Sequence, residues 1–196
     1  MPDSASPSSD LDPELLARAQ AGDEAAFGVV MKSNYERTFR LVYSITRNEA
    51  DARDLCQEIW LKVWRELPKF RGDSKFTTWL HAIATRRTLD HLRKKRRWFD
   101  RFRSFDAESD DLDATPEATS GGEDGRDHAE ASDRATRLKN AMDTLPPKMR
   151  AVLALRELEG LSYEEIAEAT SIPAGTVMSR IYHARRLLAQ KLGVKS

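Results

Sequence analysis

Residues 70–97 read FRGDSKFTTWLHAIATRRTLDHLRKKRR, in which the aromatics Phe70, Phe76 and Trp79 precede Arg86, Arg87, Arg93, Lys94, Lys95, Arg96 and Arg97. Aromatic faces stack unpaired bases for about 1–3 kcal/mol each, and Lys and Arg neutralise the phosphates beside them. The chemistry this run suits is recognition of a nucleic acid with exposed bases. The same spacing also describes an amphipathic helix that buries Phe76, Trp79, Leu80 and Ile83 and ends in solvated charge, and Trp79 alone fits both readings. Covalent chemistry finds no comparable set. With four His, one Cys and no His/Cys/Asp cluster at ligand spacing, there is no nucleophile–base pair or metal site to nominate. The expectation is a chain that is not an enzyme and needs no cofactor.

The elements that must position these residues are helical. Asp12-Pro13-Glu14 is an N-cap, a first-turn proline and an early acid. After Gly22-Asp23, Phe27, Val30, Met31, Tyr35, Phe39, Val42 and Ile45 recur at helical spacing to about Thr46, and core packing accounts for them. Asn48 caps a further helix that Pro68 ends. Its buried side is Ala52, Leu55, Ile59, Val63 and Leu67, and its polar side is Asp51, Asp54, Glu58, Lys62 and Arg65. Trp60 and Trp64, one turn apart, widen the apolar surface beyond a single stripe, so a partner-binding face is open there. Cys56, at the edge of that stripe, reads as a small core residue. The next helix starts near Lys75 and runs past Trp98.

Charge is segregated along the chain. Lys plus Arg and Asp plus Glu each number 32, for a formal net charge of zero. Residues 106–133 nevertheless hold Arg126 as their only Lys or Arg among many acids. That segment, with SGGEDG and Pro116, reads as a flexible linker, and the Ser- and Pro-rich start reads as a disordered tail. A lone Cys excludes an intrachain disulfide. No secretory leader or membrane-spanning run is visible, which points to the cytoplasm and no membrane insertion. No segment reads as strand. The expected organisation is all-α: a tail at 1–11, a helical bundle at 12–103, an acidic linker at 104–132 and a second helical region at 133–196.

That second region ends in a helix-turn-helix. Ser162-Tyr163-Glu164-Glu165 is a capping box, Ile166 and Ala167 point inward, and Ser171-Ile172-Pro173 turns the chain into a helix carrying Val177, Ile181, Leu187 and Leu188 inward. Ser171 stands where glycine is commonest in this motif. In such a motif the second helix enters the major groove.

Three stretches together resemble the extracytoplasmic-function (ECF, group IV) sigma factors of bacterial RNA polymerase, in the sigma-70 family. They are DARDLCQE at 51–58, FRGDS at 70–74 with TWL at 78–80, and LSYEEIA at 161–167 leading to GTVMSR at 175–180. The resemblance implies that Asp51, Asp54, Gln57 and Glu58 bind the clamp helices of the polymerase largest subunit. It implies that Arg71, Gly72, Asp73, Ser74, Lys75, Trp79, Arg86, Arg93 and Lys94 recognise and melt the −10 element of promoter DNA. Thr176, Met178, Ser179, Arg180, Tyr182, His183 and Arg186 would read the −35 element, with the second helical region resting on the flap of the second-largest subunit. The acidic linker would follow the basic RNA exit path. A cognate anti-sigma factor is the implied regulator. Flipping one base costs a few kcal/mol, comparable with one stack and a few charge contacts, so melting should require polymerase. Met178 and His183 stand where relatives commonly carry Arg, the usual bidentate reader of guanine; the −35 sequence therefore does not carry over.

Two rival readings remain at this level. A plain helix-turn-helix regulator needs neither the stacking loop nor the acidic docking helix. A sigma-like decoy that sequesters an anti-sigma factor should have lost the bases at 93–97 and Arg185-Arg186.

Overall fold

The computed structural model describes residues 11–105 and 126–194, with side chains for 11–101 and 135–194. Helix α1 spans Pro13–Gln20, α2 Glu24–Thr46, α3 Glu49–Glu66, α4 Phe76–Phe105, α5 Arg126–Asp143, α6 Pro147–Glu157, α7 Tyr163–Thr170 and α8 Ala174–Leu192. No strand occurs among the described residues.

The caps at Asp12, Asn48 and Ser162 are those the sequence predicts, and Asp23, read there only as an interruption, caps α2. Asp12 accepts from the Glu14 amide at 3.0 Å, Asp23 from Ala26 at 3.0 Å and Asn48 from Asp51 at 2.8 Å. Ser162 accepts from the Glu165 amide at 3.1 Å, while the Glu165 carboxylate accepts from the Ser162 amide at 2.8 Å. Each satisfies helix-end donors that would otherwise need water. Pro68 lies in a 3-10 turn, Leu67–Lys69, that closes α3. The Gln20 amide donates to Phe70 O at 2.7 Å, tying α1 to the loop that introduces α4.

The core of α1–α4 is built from Val30, Leu41, Ile45, Leu55, Ile59, Val63, Leu67 and Leu80, each at most 1% exposed. Cys56 is fully buried, and burial pushes its thiol up to about 12. In the C-terminal half, Leu155, Ile166, Val177 and Ile181 form the centre, with Ile172 packed beneath the turn. Five successive residues of α6, Ala151 to Leu155, are buried, because α6 is covered by α2 as well as by α7 and α8.

Several boundaries differ from expectation. Helix α4 runs past Trp98 as expected and ends at Phe105, two residues into the segment assigned to the linker, making it about 45 Å long at 1.5 Å per residue. Helix α5 begins at Arg126, seven residues before the Asp133 that composition suggests; Ala129, Glu130 and Ala131 are good helix formers among the acids. Leu11, assigned to the tail, packs on the core. Residues 1–10 and most of the expected linker lie outside the described residues.

Candidate nucleic-acid and polymerase interfaces

Helix α3 separates its candidate residues into two directions. Asp51 and Glu58 turn toward α4: the Lys95 ammonium lies 2.7 Å from Asp51 Oδ2, and Arg87 Nε donates to Glu58 Oε2 at 2.9 Å. Asp54 and Gln57 face outward. Gln57 joins Glu24, Phe27, Met31, Tyr35, Trp60, Leu61 and Trp64 around an open, apolar cavity of about 600 Å³ between α2 and α3. Phe27 packs on Trp64 at 4.7 Å and on Trp60 at 6.0 Å between ring centroids. Met31, Tyr35 and Leu61 are 36%, 37% and 56% exposed. This corrects the assignment of Met31 and Tyr35 to the core. Helical spacing locates a stripe but not which edge of it is left uncovered. Trp60 is 4% exposed, yet its indole Nε1 has no hydrogen-bond partner.

The loop before α4 carries Gly72 at φ +76°, a left-handed geometry that glycine adopts at no steric cost. Arg71 Nε donates to Asp73 Oδ2 across it at 3.0 Å. Ser74 is half-buried and Lys75 exposed. Trp79, half-buried, stacks obliquely on Phe70 at 5.0 Å and Phe76 at 5.8 Å. It is thus both part of an aromatic cluster and accessible. Arg93 pairs with Asp90 one turn earlier, and Lys94 is exposed. Arg86 is elsewhere engaged: its Nη2 donates to Glu168 O at 2.8 Å and its Nε to Ala169 O at 3.1 Å, at the C-terminus of α7.

On α8, Met178 and Tyr182 are 48% and 62% exposed. Ser179 and Arg186 are also exposed, and Thr176, Arg180 and His183 are half-buried. The Tyr182 and His183 rings meet edge to face at 5.4 Å. Arg185 is held by Glu157 of α6 at 2.5 Å, which leaves the neighbouring residues as the outward surface. The turn into α8 passes through Ser171 at φ +55°.

A cluster the sequence does not announce joins the two halves of the chain. The Glu159 side chain, 2% exposed, meets Arg37 Nε of α2 and lies 3.1 Å from His81 Nε2 of α4. Burial alone would raise the Glu159 carboxyl, but hydrogen bonds and charge from His81 and Arg37 outweigh it and hold the carboxyl below its ordinary value. Nearby, Arg150 of α6 donates to Ile45 O at 2.8 Å and Leu145 O at 3.0 Å. Burial and neighbouring Arg47 lower its guanidinium below its usual value, with Asp143 acting in the opposite direction. Arg47 itself reaches Asp143 at 2.6 Å.

Comparison with known proteins gives these surfaces a family context. Residues 30–98 match the family model described as Sigma-70 region 2, and residues 135–188 match Sigma-70, region 4. The chain is 36% identical over 185 residues to the RNA polymerase sigma-H factor of Pseudomonas aeruginosa, covering 92% of this chain and 93% of that one. It is 33% identical to the ECF RNA polymerase sigma-E factor of Escherichia coli K12, covering 92% and 94%. In fold it is similar to the sigma factor RpoE of Bartonella quintana, solved in complex with the anti-sigma factor NepR. That match has a TM-score of 0.63 and 24% identity, over 87% of this chain and 98% of that one. It is also similar to CnrH in complex with the cytosolic domain of CnrY, with a TM-score of 0.61 and 22% identity over 93% and 97%.

Proposed function

The chain belongs to the ECF sigma factors of the sigma-70 family, and on that footing we propose that it binds core RNA polymerase, directs it to −35/−10 promoters and opens the −10 region. The observation that carries the division of labour is the back-to-back arrangement of α3 and α4. One side offers an open apolar groove edged by Gln57, with exposed Asp54 one turn earlier on α3. The other offers the Phe70–Phe76–Trp79 cluster beside the basic length of α4. Apolar area rimmed by polar groups suits a protein partner, and the clamp helices of the polymerase largest subunit are the occupant we assign.

Asp51 and Glu58 then act mainly by fixing α4 against α3, while Asp54 and Gln57 meet polymerase directly. Arg71 to Lys75, Trp79 and the bases of α4 take the melted non-template strand. On α8, Thr176, Met178, Ser179, Arg180, Tyr182, His183 and Arg186 face the −35 major groove. Met178 offers an apolar surface to a thymine methyl where an Arg would read guanine. One structural neighbour, RpoE of Bartonella quintana, was solved with the anti-sigma factor NepR, which supports control of this chain by such a partner.

The test is transcription with core polymerase on a genomic fragment library, with and without the chain. New start sites sharing paired upstream motifs are expected. Duplex binding without polymerase and no new starts would favour an ordinary regulator, and no DNA contact at all a decoy.

A further inference from the structure

Between residues 174 and 182 the outward face of α8 carries no charge. Val177, Ile181 and Ala184 are buried, which makes Gly175, Met178, Ser179 and Tyr182, all exposed, the opposite side of the helix. The cations lie elsewhere. Arg180 is half-buried on one flank, and Arg185 on the other is held by Glu157 of α6 at 2.5 Å. Arg186 comes a turn later, about 18 Å from the helix start at 1.5 Å per residue.

A recognition helix meets base edges with its N-terminal residues, and each base asks for a different group. Guanine is read by a cation, adenine by an Asn or Gln amide and cytosine by a carboxylate, whereas thymine offers a methyl group to an apolar side chain. Met178 and Tyr182, 48% and 62% exposed, stand one turn apart on a face that lacks the other three kinds. Gly175 points the same way. A Cβ built there meets nothing within 4 Å, and its φ is not positive, so neither packing nor backbone geometry requires a glycine. Glycine is disfavoured within a helix, but it lets the backbone come close to a ligand. An apolar reader needs that approach, because dispersion contacts act only at van der Waals distance.

Resting on the reading of α8 as the −35 helix, we infer that the 5-methyl group of thymine is what this helix recognises, with Met178 and Tyr182 as the specificity-determining side chains and Gly175 giving the clearance. Arg180 and Arg186 serve the flanking phosphates, which orient the helix but carry no sequence information. Side chains one turn apart, about 5.4 Å, reach base pairs one or two steps apart at about 3.4 Å per step. The same face accepts 5-methylcytosine in place of thymine, since that base carries its methyl at the same ring position.

The experiment uses holoenzyme, formed from the full chain and core polymerase, on the strongest promoter recovered from the fragment library. Each −35 thymine is replaced singly by uracil, which pairs alike and lacks only the methyl, and duplex binding is measured by competition. At two positions, one or two pairs apart, uracil should weaken binding about fourfold, the worth of one buried methyl. A C·G pair at either position should also bind more weakly, and 5-methylation of its cytosine should recover about fourfold. Met178→Ala should bind the thymine and uracil duplexes equally at one of the positions and Tyr182→Ala at the other; both side chains are exposed, so folding is not at risk. Gly175→Ala should raise the melting temperature of the free chain yet weaken promoter binding, and unchanged binding would remove the clearance. Equal binding of every uracil duplex by the wild-type holoenzyme, or a −35 element of G·C pairs alone, would overturn methyl recognition while leaving α8 as the −35 helix. Uracil sensitivity retained in both alanine variants would overturn the assignment to Met178 and Tyr182. Starts that share no −35 element would remove the reading of α8 itself, and methyl recognition with it.

Discussion

At the scale of single residues, Trp79 carries the sharpest expectation. Its ring packs on Phe70 and Phe76 and remains partly accessible, so Trp79→Ala removes a stacking surface worth about 1–3 kcal/mol. Promoter opening by the holoenzyme should fall by about tenfold or more, while association with core polymerase, read by gel filtration or fluorescence anisotropy, is unchanged. Loss of both together would place Trp79 in the bundle's stability instead. Cys56 gives the opposite kind of prediction. Its thiol is pushed up to about 12, and only the thiolate reacts. Ellman's reagent at pH 8 should leave the native chain unmodified and titrate one thiol after unfolding in guanidinium. The core role of Cys56 was legible from its place at the edge of an apolar stripe. The groove residues Met31 and Tyr35 were not, because spacing gives a side of the helix and says nothing about how far the neighbouring helix extends over it.

At the scale of elements, Ser171 shows how a motif tolerates a departure from its usual residue. It sits at φ +55°, where a side chain costs roughly 1–2 kcal/mol that glycine does not. Glycine loses more backbone entropy on folding, which offsets part of the relief. Ser171→Gly should therefore raise stability by about 0.5–1 kcal/mol, seen as a higher melting temperature with unchanged circular dichroism; an unchanged or lower value would show that the Ser171 hydroxyl compensates the strain. The caps at Asp12, Asn48 and Ser162 were readable because each acts within three residues of itself. The start of α5 at Arg126 was hidden because acidic charge masked the helix-forming residues between the acids.

At the scale of the whole molecule, the union of the two halves was not legible at all. Arg37 and Glu159 are 122 residues apart, and an acid followed by Gly160 carries no mark of a distant partner. The union has a consequence in acid. The groups facing Glu159 are Arg37 from α2 and His81 from α4, and against the effect of burial they hold its carboxyl below its ordinary value of 4.5. A depressed carboxyl contributes stability that is fully present above its unfolded value and is lost as pH falls through its folded value. Thermal stability should hold from neutral pH to about pH 5 and decline beneath 4.5, with Glu159→Gln showing a flatter profile of melting temperature against pH. Equal profiles would remove Glu159 from the linkage. Helix α6 adds a consequence of another kind. Its residues from Ala151 to Leu155 are buried in succession, so lifting it from α2 bares aliphatic surface to water. A substitution that loosens α6 should therefore favour self-association and offer the backbone to proteases.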